Sequence, residues 1–544
     1  MKKVLLVIQA AVLGLCLFGC KNSGKASNKP LSISIFTIQQ QQQPPADNKI
    51  YKWIKDTYNV EFNFDILVGD KDQKIGVLIA SGDYPDLVEV DSTKFYDAGA
   101  LIPLDDLIEK YGPNLKRHYS QCWEQMKEAD GKVYCLPNWG VIEGRDQSTY
   151  YGDSALWIQK AVLKEFNYPK IKTVDEYFDL LKKYKEKYPT IDGMETIPFT
   201  ILTYDWHSFC LINPPNFCAG YPNDGNGTVD KVNGKWTYQA FLNQDISKKW
   251  FKYVNKAYNE GLIDKSCFVD NYDQYMAKLA TGRVLGLHDQ RWQFNDSMYS
   301  LEVAGNYERT MAPLPIVFDD SIAPHYRNRT IPNIQRGFGI TKNCKDPVAV
   351  IKFMDAQLSE EAQRVLGWGI EGEDWQRDAN GLPYRTEKQR IDQKDATWIL
   401  HNKAKLWRDT APKFEGTYSD GYATDMNYIP SEYFASQKPE DIELWNAYGV
   451  SSDNELMDAN PPADAGWFPM WQVSTPDGSE AQLAWSKCEQ AYKKYLPTIV
   501  MGPTSKFEAS WKEYCKALED AGIEKYNAFM QENLDARIAK YGAK

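Results

Sequence analysis

The chain has 544 residues and a formal net charge of −11, and aromatic residues make up 13% of it, with 17 Trp and 34 Tyr. An acidic balance without any Lys/Arg-rich run excludes a chain built to neutralise nucleic-acid phosphate. Five histidines spread along the chain and no C-x-x-C pair leave no zinc site legible, and no cofactor is expected.

At the start, Met1-Lys2-Lys3 is basic, Val4 to Leu17 is almost wholly apolar, and Leu17-Phe18-Gly19-Cys20 closes the run. About 14 apolar residues are too few for a mature membrane span, so residues 1–19 read as an export signal. Residues 20–30, rich in Lys, Ser, Asn and Gly, read as a flexible tether. Losing Lys2 and Lys3 with the signal takes the charge from −11 to −13. The remaining roughly 510 residues exceed what one core serves, which implies at least two lobes.

From Leu31 strand and helix signals alternate. Leu31 to Ile38 has period two. Asp47 to Tyr58 predicts a helix capped by Asp47 or Asn48, and Val60 to Ile66 a second strand. Lys71 to Ala80 predicts a helix stopped at Ser81-Gly82, and Pro85 to Val90 a third strand. This β-α-β-α-β order implies a mainly parallel sheet with ligands beyond its carboxyl edge, where the run Gln39 to Gln43 lies. Eight cysteines follow Cys20, with Cys122/Cys135 and Cys210/Cys218 the nearest in sequence, and their redox state stays open. Asn223 to Asp230 looks superficially like a calcium loop but lacks the distal Glu and precedes Asn233-Gly234, so it reads as a turn before a hairpin.

Ala80 to Val88 (ASGDYPDLV), Gly99 to Leu104 (GALIPL), Gly131 to Pro137 (GKVYCLP), Leu156 to Lys160, Thr173 to Tyr177 and Tyr258 to Asp264 occur in an order that resembles the extracellular sugar-binding proteins of ABC transporters, the family 1, maltose-binding-like superfamily. Trp368 to Trp375 and Trp511 to Tyr514 resemble its long oligosaccharide-binding subgroup. The resemblance implies an α/β, two-lobed, periplasmic-binding-protein-like (type II) fold with a hinge and an interlobe cleft. One lobe is expected from 31–135 plus 335–366 and the other from 140–325 plus 370–544. It implies no enzyme, but a monomeric binding component that captures an oligosaccharide by hinge closure and hands it to ABC permease subunits. The first residues resemble a lipoprotein signal in which Cys20 is acylated, although Phe18 stands where a small residue is usual. That places the protein, lipid-anchored, on the outer face of the bacterial cytoplasmic membrane. An ordinary secretory signal cleaved near Gly19 is the alternative. Some long relatives carry a calcium loop after the helix that here is Thr173 to Tyr188, but Pro189 to Pro198 lacks the alternating oxygen ligands and no metal is expected there.

Sugar recognition needs aromatic faces for the C–H patches of pyranose rings and planar polar groups for the hydroxyls. By the family pattern the candidates are Trp292, flanked by Asp289 and Arg291 in what reads as a charged loop; Trp139 and Tyr150 or Tyr151 on the first crossing between lobes; Tyr204 and Trp206 in an aromatic loop; Asp91 at the end of the third strand; Arg336 on the second crossing; and Trp368 on the third. Gln40 and Gln41 are the expected contacts in the glutamine run, whose amides both donate and accept. A core role for Trp292, an Arg291–Asp289 ion pair and a merely solvated glutamine loop are the competing readings. A secreted glycoside hydrolase or lyase, for which Glu371 and Glu373 offer a carboxylate pair, and a sugar-sensing surface protein are the alternative functions.

Overall fold

The computed structural model describes residues 29–542 apart from 40, 146–150, 329, 335 and 459–464. Cys20, Gln40 and Tyr150 lie outside the described residues. Two sheets organise the chain. The first runs Val60–Ile66, Leu31–Thr37, Leu87–Val90, Gly337–Ile340, Leu136–Pro137. Its first three strands are parallel, and Gly337–Ile340 returns antiparallel to both of its neighbours. The second sheet runs Met311–Leu314, Ser154–Gln159, Val284–Gln290, Ile197–Thr200.

The local signals act where the sequence puts them. Asn48 accepts a hydrogen bond from the Tyr51 N–H and caps Lys49–Tyr58, and Gly82 ends Lys71–Ser81 in the left-handed region. Thr173 and Glu176 form a capping box on Val174–Lys187. Asn233-Gly234 turns the hairpin Gly227–Val232/Lys235–Ala240, with positive φ at both residues. Residues 190–195 form a short hairpin as well. All eight cysteines after Cys20 are free thiols. Among the described residues no helix is long and apolar enough to cross a membrane.

Around each sheet lies a separate core. One joins Ile33, Leu87, Phe338 and Trp368 with Trp407, Phe414 and Ile429. Another, on the second sheet, joins Leu156, Phe199 and Trp250 with Tyr433, Tyr492 and Trp511. This corrects the expected boundaries, because residues from 370 to 429 belong to the first lobe rather than the second. The cause is long-range packing: the Trp407 ring stacks on Phe62 at 4.7 Å and on Phe338 at 5.3 Å, and its indole N–H reaches Gln357 Oε1 at 2.7 Å. The Asn48 amide also donates to the Leu400 and Lys403 carbonyls. The third crossing therefore falls between Ile429 and Tyr433, not at Trp368.

Trp368 is fully buried, donates to the Thr424 carbonyl at 3.0 Å and meets Trp375 edge-on at 4.9 Å, so it is a core residue of the first lobe. Gly369 serves a close approach of Asp374, whose carboxylate would lie 2.3 Å from an added Cβ. The first two crossings run backbone against backbone at Gly140, where φ is 82° and a Cβ would stand 2.0 Å from the Ile331 carbonyl oxygen.

Candidate ligand-binding site

Between the lobes lies a cavity of about 880 Å³, within the range of small-molecule sites. The first lobe and the crossings line it with Gln39, Asn138, Trp139, Arg336, Arg385 and Lys413. The second lobe lines it with Phe209, Asn213, Arg291, Trp292, Tyr299 and Trp471.

Two parallel indole pairs stand at this cavity. Trp139 and Trp471, both in the lining, stack at 5.9 Å with 20° between planes. Trp292 lies 6.2 Å from Trp206 at 10°. The Trp292 side is built by strand Val284–Gln290 passing straight into helix Arg291–Val303. Trp292 is the second residue of that helix and 49% exposed, and its indole N–H is held by the Gln290 side chain. Trp206 is absent from the lining and backs Trp292, with the His207 ring 3.8 Å from its own.

The same geometry overturns the expected charged loop. Because the strand continues through Gln290, Asp289 is wholly buried. Its carboxylate accepts from Tyr275 Oη at 2.7 Å, from Cys210 Sγ at 3.2 Å, from the Gln290 N–H at 2.6 Å and from the Gln293 amide. Burial pushes its pKa up to about 6, against these hydrogen bonds, which favour the anion. Asp289 therefore props the strand–helix junction from below and is absent from the cavity lining. Nor does it pair with Arg291, whose Nε donates to Asn295 Oδ1 at 2.7 Å and whose guanidinium lies over the Trp157 ring at 5.4 Å. Arg291 does line the cavity.

On the other wall the organising group is Glu89, fully buried in strand Leu87–Val90. It accepts from Thr37 Oγ1 at 2.6 Å, the Ile38 N–H at 3.0 Å, Gln39 Nε2 at 2.7 Å and an Arg336 terminal nitrogen at 3.2 Å. One carboxylate thus fixes both Gln39 and Arg336 in the lining. Gln41 is one step removed, because its amide donates to Asp409 Oδ2 at 3.0 Å and Asp409 lines the cavity. Gln43 donates to the Phe64 carbonyl. Gln39, Gln41 and Gln43 are thus tied to the lobe by their side-chain amides.

Of the remaining expected residues, Asp91 is bound to Lys71 at 2.6 Å and Tyr204 faces outward beside the turn Asp205–Ser208, both away from the lining. Tyr151 is buried, donating to the Ser154 carbonyl at 2.6 Å. Glu371 and Glu373 are exposed and pair with Arg377 and Lys49, outside the cavity, so they form no opposed carboxylate pair across it. The sequence reading misses Gln39, Trp471, Tyr299, Arg385 and Lys413. Gln39 carried a signal, since it opens the glutamine run, whereas the others lie in segments without strong periodicity or motif.

Two lobes on two mixed sheets, joined by three crossings around a cavity walled by indoles and polar side chains, define a hinged solute-binding protein. Residues 50–367 match the model of the bacterial extracellular solute-binding proteins, and the chain belongs to that family. Among its relatives, FusA of Streptococcus pneumoniae serotype 4, a fructooligosaccharide ABC transporter substrate-binding protein, is 24% identical over 557 aligned residues, covering 98% of this chain and 97% of that one. The crystal structure of the alginate-binding protein AlgQ2 without calcium ion superposes with a TM-score of 0.66 at 20% identity, over 94% of this chain and 99% of that one. FusA in complex with kestose gives a TM-score of 0.66 at 19% identity, over 94% and 100%.

Proposed function

We propose that this protein is the substrate-binding component of an ABC importer, that its solute is an oligosaccharide held in the cleft between the lobes, and that it delivers this solute unaltered to the membrane permease. One observation carries the reading: a cavity of about 880 Å³ at the lobe junction, walled by the Trp139/Trp471 pair and by Trp292 and interspersed with amide, carboxylate and guanidinium groups. Flat apolar faces alternating with two-way hydrogen-bonding groups suit pyranose or furanose rings, whose C–H faces and hydroxyl edges alternate likewise. Trp139, Trp292 and Trp471 are the stacking faces; Gln39, Arg291 and Arg336 the hydroxyl-binding groups. The names of the relatives support a sugar and an importer, but divide between a neutral fructan and an acidic alginate. We further propose a monomer held at the outer face of the cytoplasmic membrane by lipid on Cys20.

Calorimetric titration of the purified chain with a panel of tri- to hexasaccharides tests the reading, with mass spectrometry of the recovered sugar. Saturable binding with the sugar intact supports it. Accumulating cleavage products would move the protein to the hydrolase or lyase class.

A further inference from the structure

The helix that carries Trp292 runs on from the cleft to the seam between the lobes. Trp292, Asn295, Tyr299 and Glu302, three or four residues apart, share the face of Arg291–Val303 that lines the cavity. At 1.5 Å per residue, Glu302 stands about 15 Å beyond Trp292 along one rigid rod.

At that far end the second lobe meets the first. Glu302 pairs with Lys394, which follows helix Glu387–Asp392 of the first lobe, and the Lys394 ammonium also stands 5.7 Å from the centre of the Tyr299 ring. A pair of opposite sense lies beside it. Lys438 of the second lobe reaches Glu387 of the first at 3.0 Å and sits over the Tyr307 ring of its own lobe at 5.0 Å. Both pairs border one small cavity of about 20 Å³, walled from both lobes. Burial works against the Lys438 ammonium, but Glu387, Tyr307 and Glu302 together outweigh it and hold its pKa above the ordinary lysine value. Nearer the start of the same helix, Asp296 faces Lys405 of the first lobe at 3.8 Å. Elsewhere the lobes meet through an exposed hydrogen bond, from the Asp477 N–H to Asp97 at 2.9 Å.

Exposed ion pairs contribute little, because water screens them and two long side chains must be held still. Glu302 and Lys394 differ, since their side chains are only 15% and 23% exposed. They stand on different lobes, so the pair forms when the lobes meet and breaks when they part.

We propose that the Glu302–Lys394 pair, with Lys438–Glu387 beside it, is a latch that holds the lobes together and sets the Trp292 face across the cleft. Glu302 and Lys394 are thus positioning residues, acting through the helix that Trp292 shares with Glu302. The part played by Trp292 rests on the oligosaccharide reading above, whereas the latch itself does not. A latch made of charge renders closure sensitive to salt even where the solute is neutral. When the closed form is the one that binds, apparent affinity follows the closed fraction.

Small-angle X-ray scattering on the full chain, without sugar, reads the latch directly. Glu302→Gln and Lys394→Gln should enlarge the radius of gyration at about 50 mM salt, and the wild type should approach their value at about 500 mM. The exchanged double variant, Glu302→Lys with Lys394→Glu, should return to the wild-type radius. Lys438→Met, outside the main cavity lining, should act in the same direction as the single variants. Calorimetry then follows each neutral fructan or galactan oligomer that binds. Its Kd should weaken by about three- to tenfold in Glu302→Gln, a size between that of an exposed ion pair and that of a hydrogen bond to a charged group. The same weakening should appear in the wild type as salt rises. Cooperatively melting single variants with the wild-type radius and salt response would overturn the latch. A folded exchanged variant that stays expanded would overturn its assignment to this ion pair. Neutral-sugar affinity that ignores salt while the radius responds would overturn the coupling to Trp292. Failure of every sugar to bind would overturn the oligosaccharide reading and leave scattering to decide the latch. The wild-type salt series needs no variant, so it decides even where a substitution prevents folding.

Discussion

Replacing Trp292 by alanine separates a ligand platform from a structural indole. The ring is 49% exposed, lines the cleft, and has Trp206 on one side, 6.2 Å away and nearly parallel. A tryptophan buries roughly 150–250 Å² when enclosed, so about half of that, near 100 Å², is withdrawn from water here. At about 25 cal/mol per Å² its loss costs the fold about 2–3 kcal/mol at most, less than the 3–5 kcal/mol typical of a fully enclosed aromatic. Loss of a stacking contact on a sugar ring costs about 1–3 kcal/mol, or about 5- to 150-fold in Kd. Titration calorimetry and thermal melting on the same preparation read both quantities. We expect a clear loss of affinity, a fall of a few degrees in Tm, and recovery of most affinity in Trp292→Phe, which keeps a flat ring. Undiminished affinity in the folded Trp292→Ala protein, together with a large fall in Tm, would refute the platform reasoning.

Trp368→Ala should destabilise the first lobe by about 3–5 kcal/mol, since the ring is fully enclosed; affinity measured below the melting transition should hold, and lost affinity at unchanged Tm would return Trp368 to the site. Gly140→Ala should lower both Tm and affinity, because a left-handed residue costs about 1–2 kcal/mol and its Cβ would force Ile331 away beside Trp139; unchanged melting and binding would show that the two crossings move apart freely. For Asp289 the folded pKa of about 6 lies above the ordinary 3.8, so the native state holds this proton more tightly. Its stabilising contribution is full below about 3.8 and is lost as pH rises towards 6, about 3 kcal/mol in all on the linkage relation. Asp289→Asn should remove that part of the pH dependence, so that denaturant melts from pH 4 to 7 show wild-type stability falling relative to the variant; parallel curves would contradict the raised pKa.

What the sequence discloses here is what neighbouring residues decide. The Asn48 cap, the Thr173/Glu176 box and the Asn233-Gly234 turn each act within a few residues, and each stands where the local chemistry puts it. Asp289 shows how a short error propagates. The apolar run Val284 to Leu287 marks the strand, but His288 and Asp289 continue it, and the buried Asp289 is accommodated because Tyr275, Cys210 and Gln293 serve as its partners. Polarity alone therefore misplaced a buried carboxylate in a loop. Residues 370–429 fail for the opposite reason of scale: their elements are short, and what assigns them to the first lobe is Trp407 against Phe62, a contact between residues more than 300 positions apart in the chain. Since Arg385, Asp409 and Lys413 ride on that segment, misassigning it removes these lining residues from view, while Trp139, Arg291, Trp292 and Arg336, at crossings or a strand end that the motifs mark, are within reach. Much of the charged lining of the cleft is thus carried by the part of the chain whose placement depends most on distant packing, and local motifs alone do not disclose it.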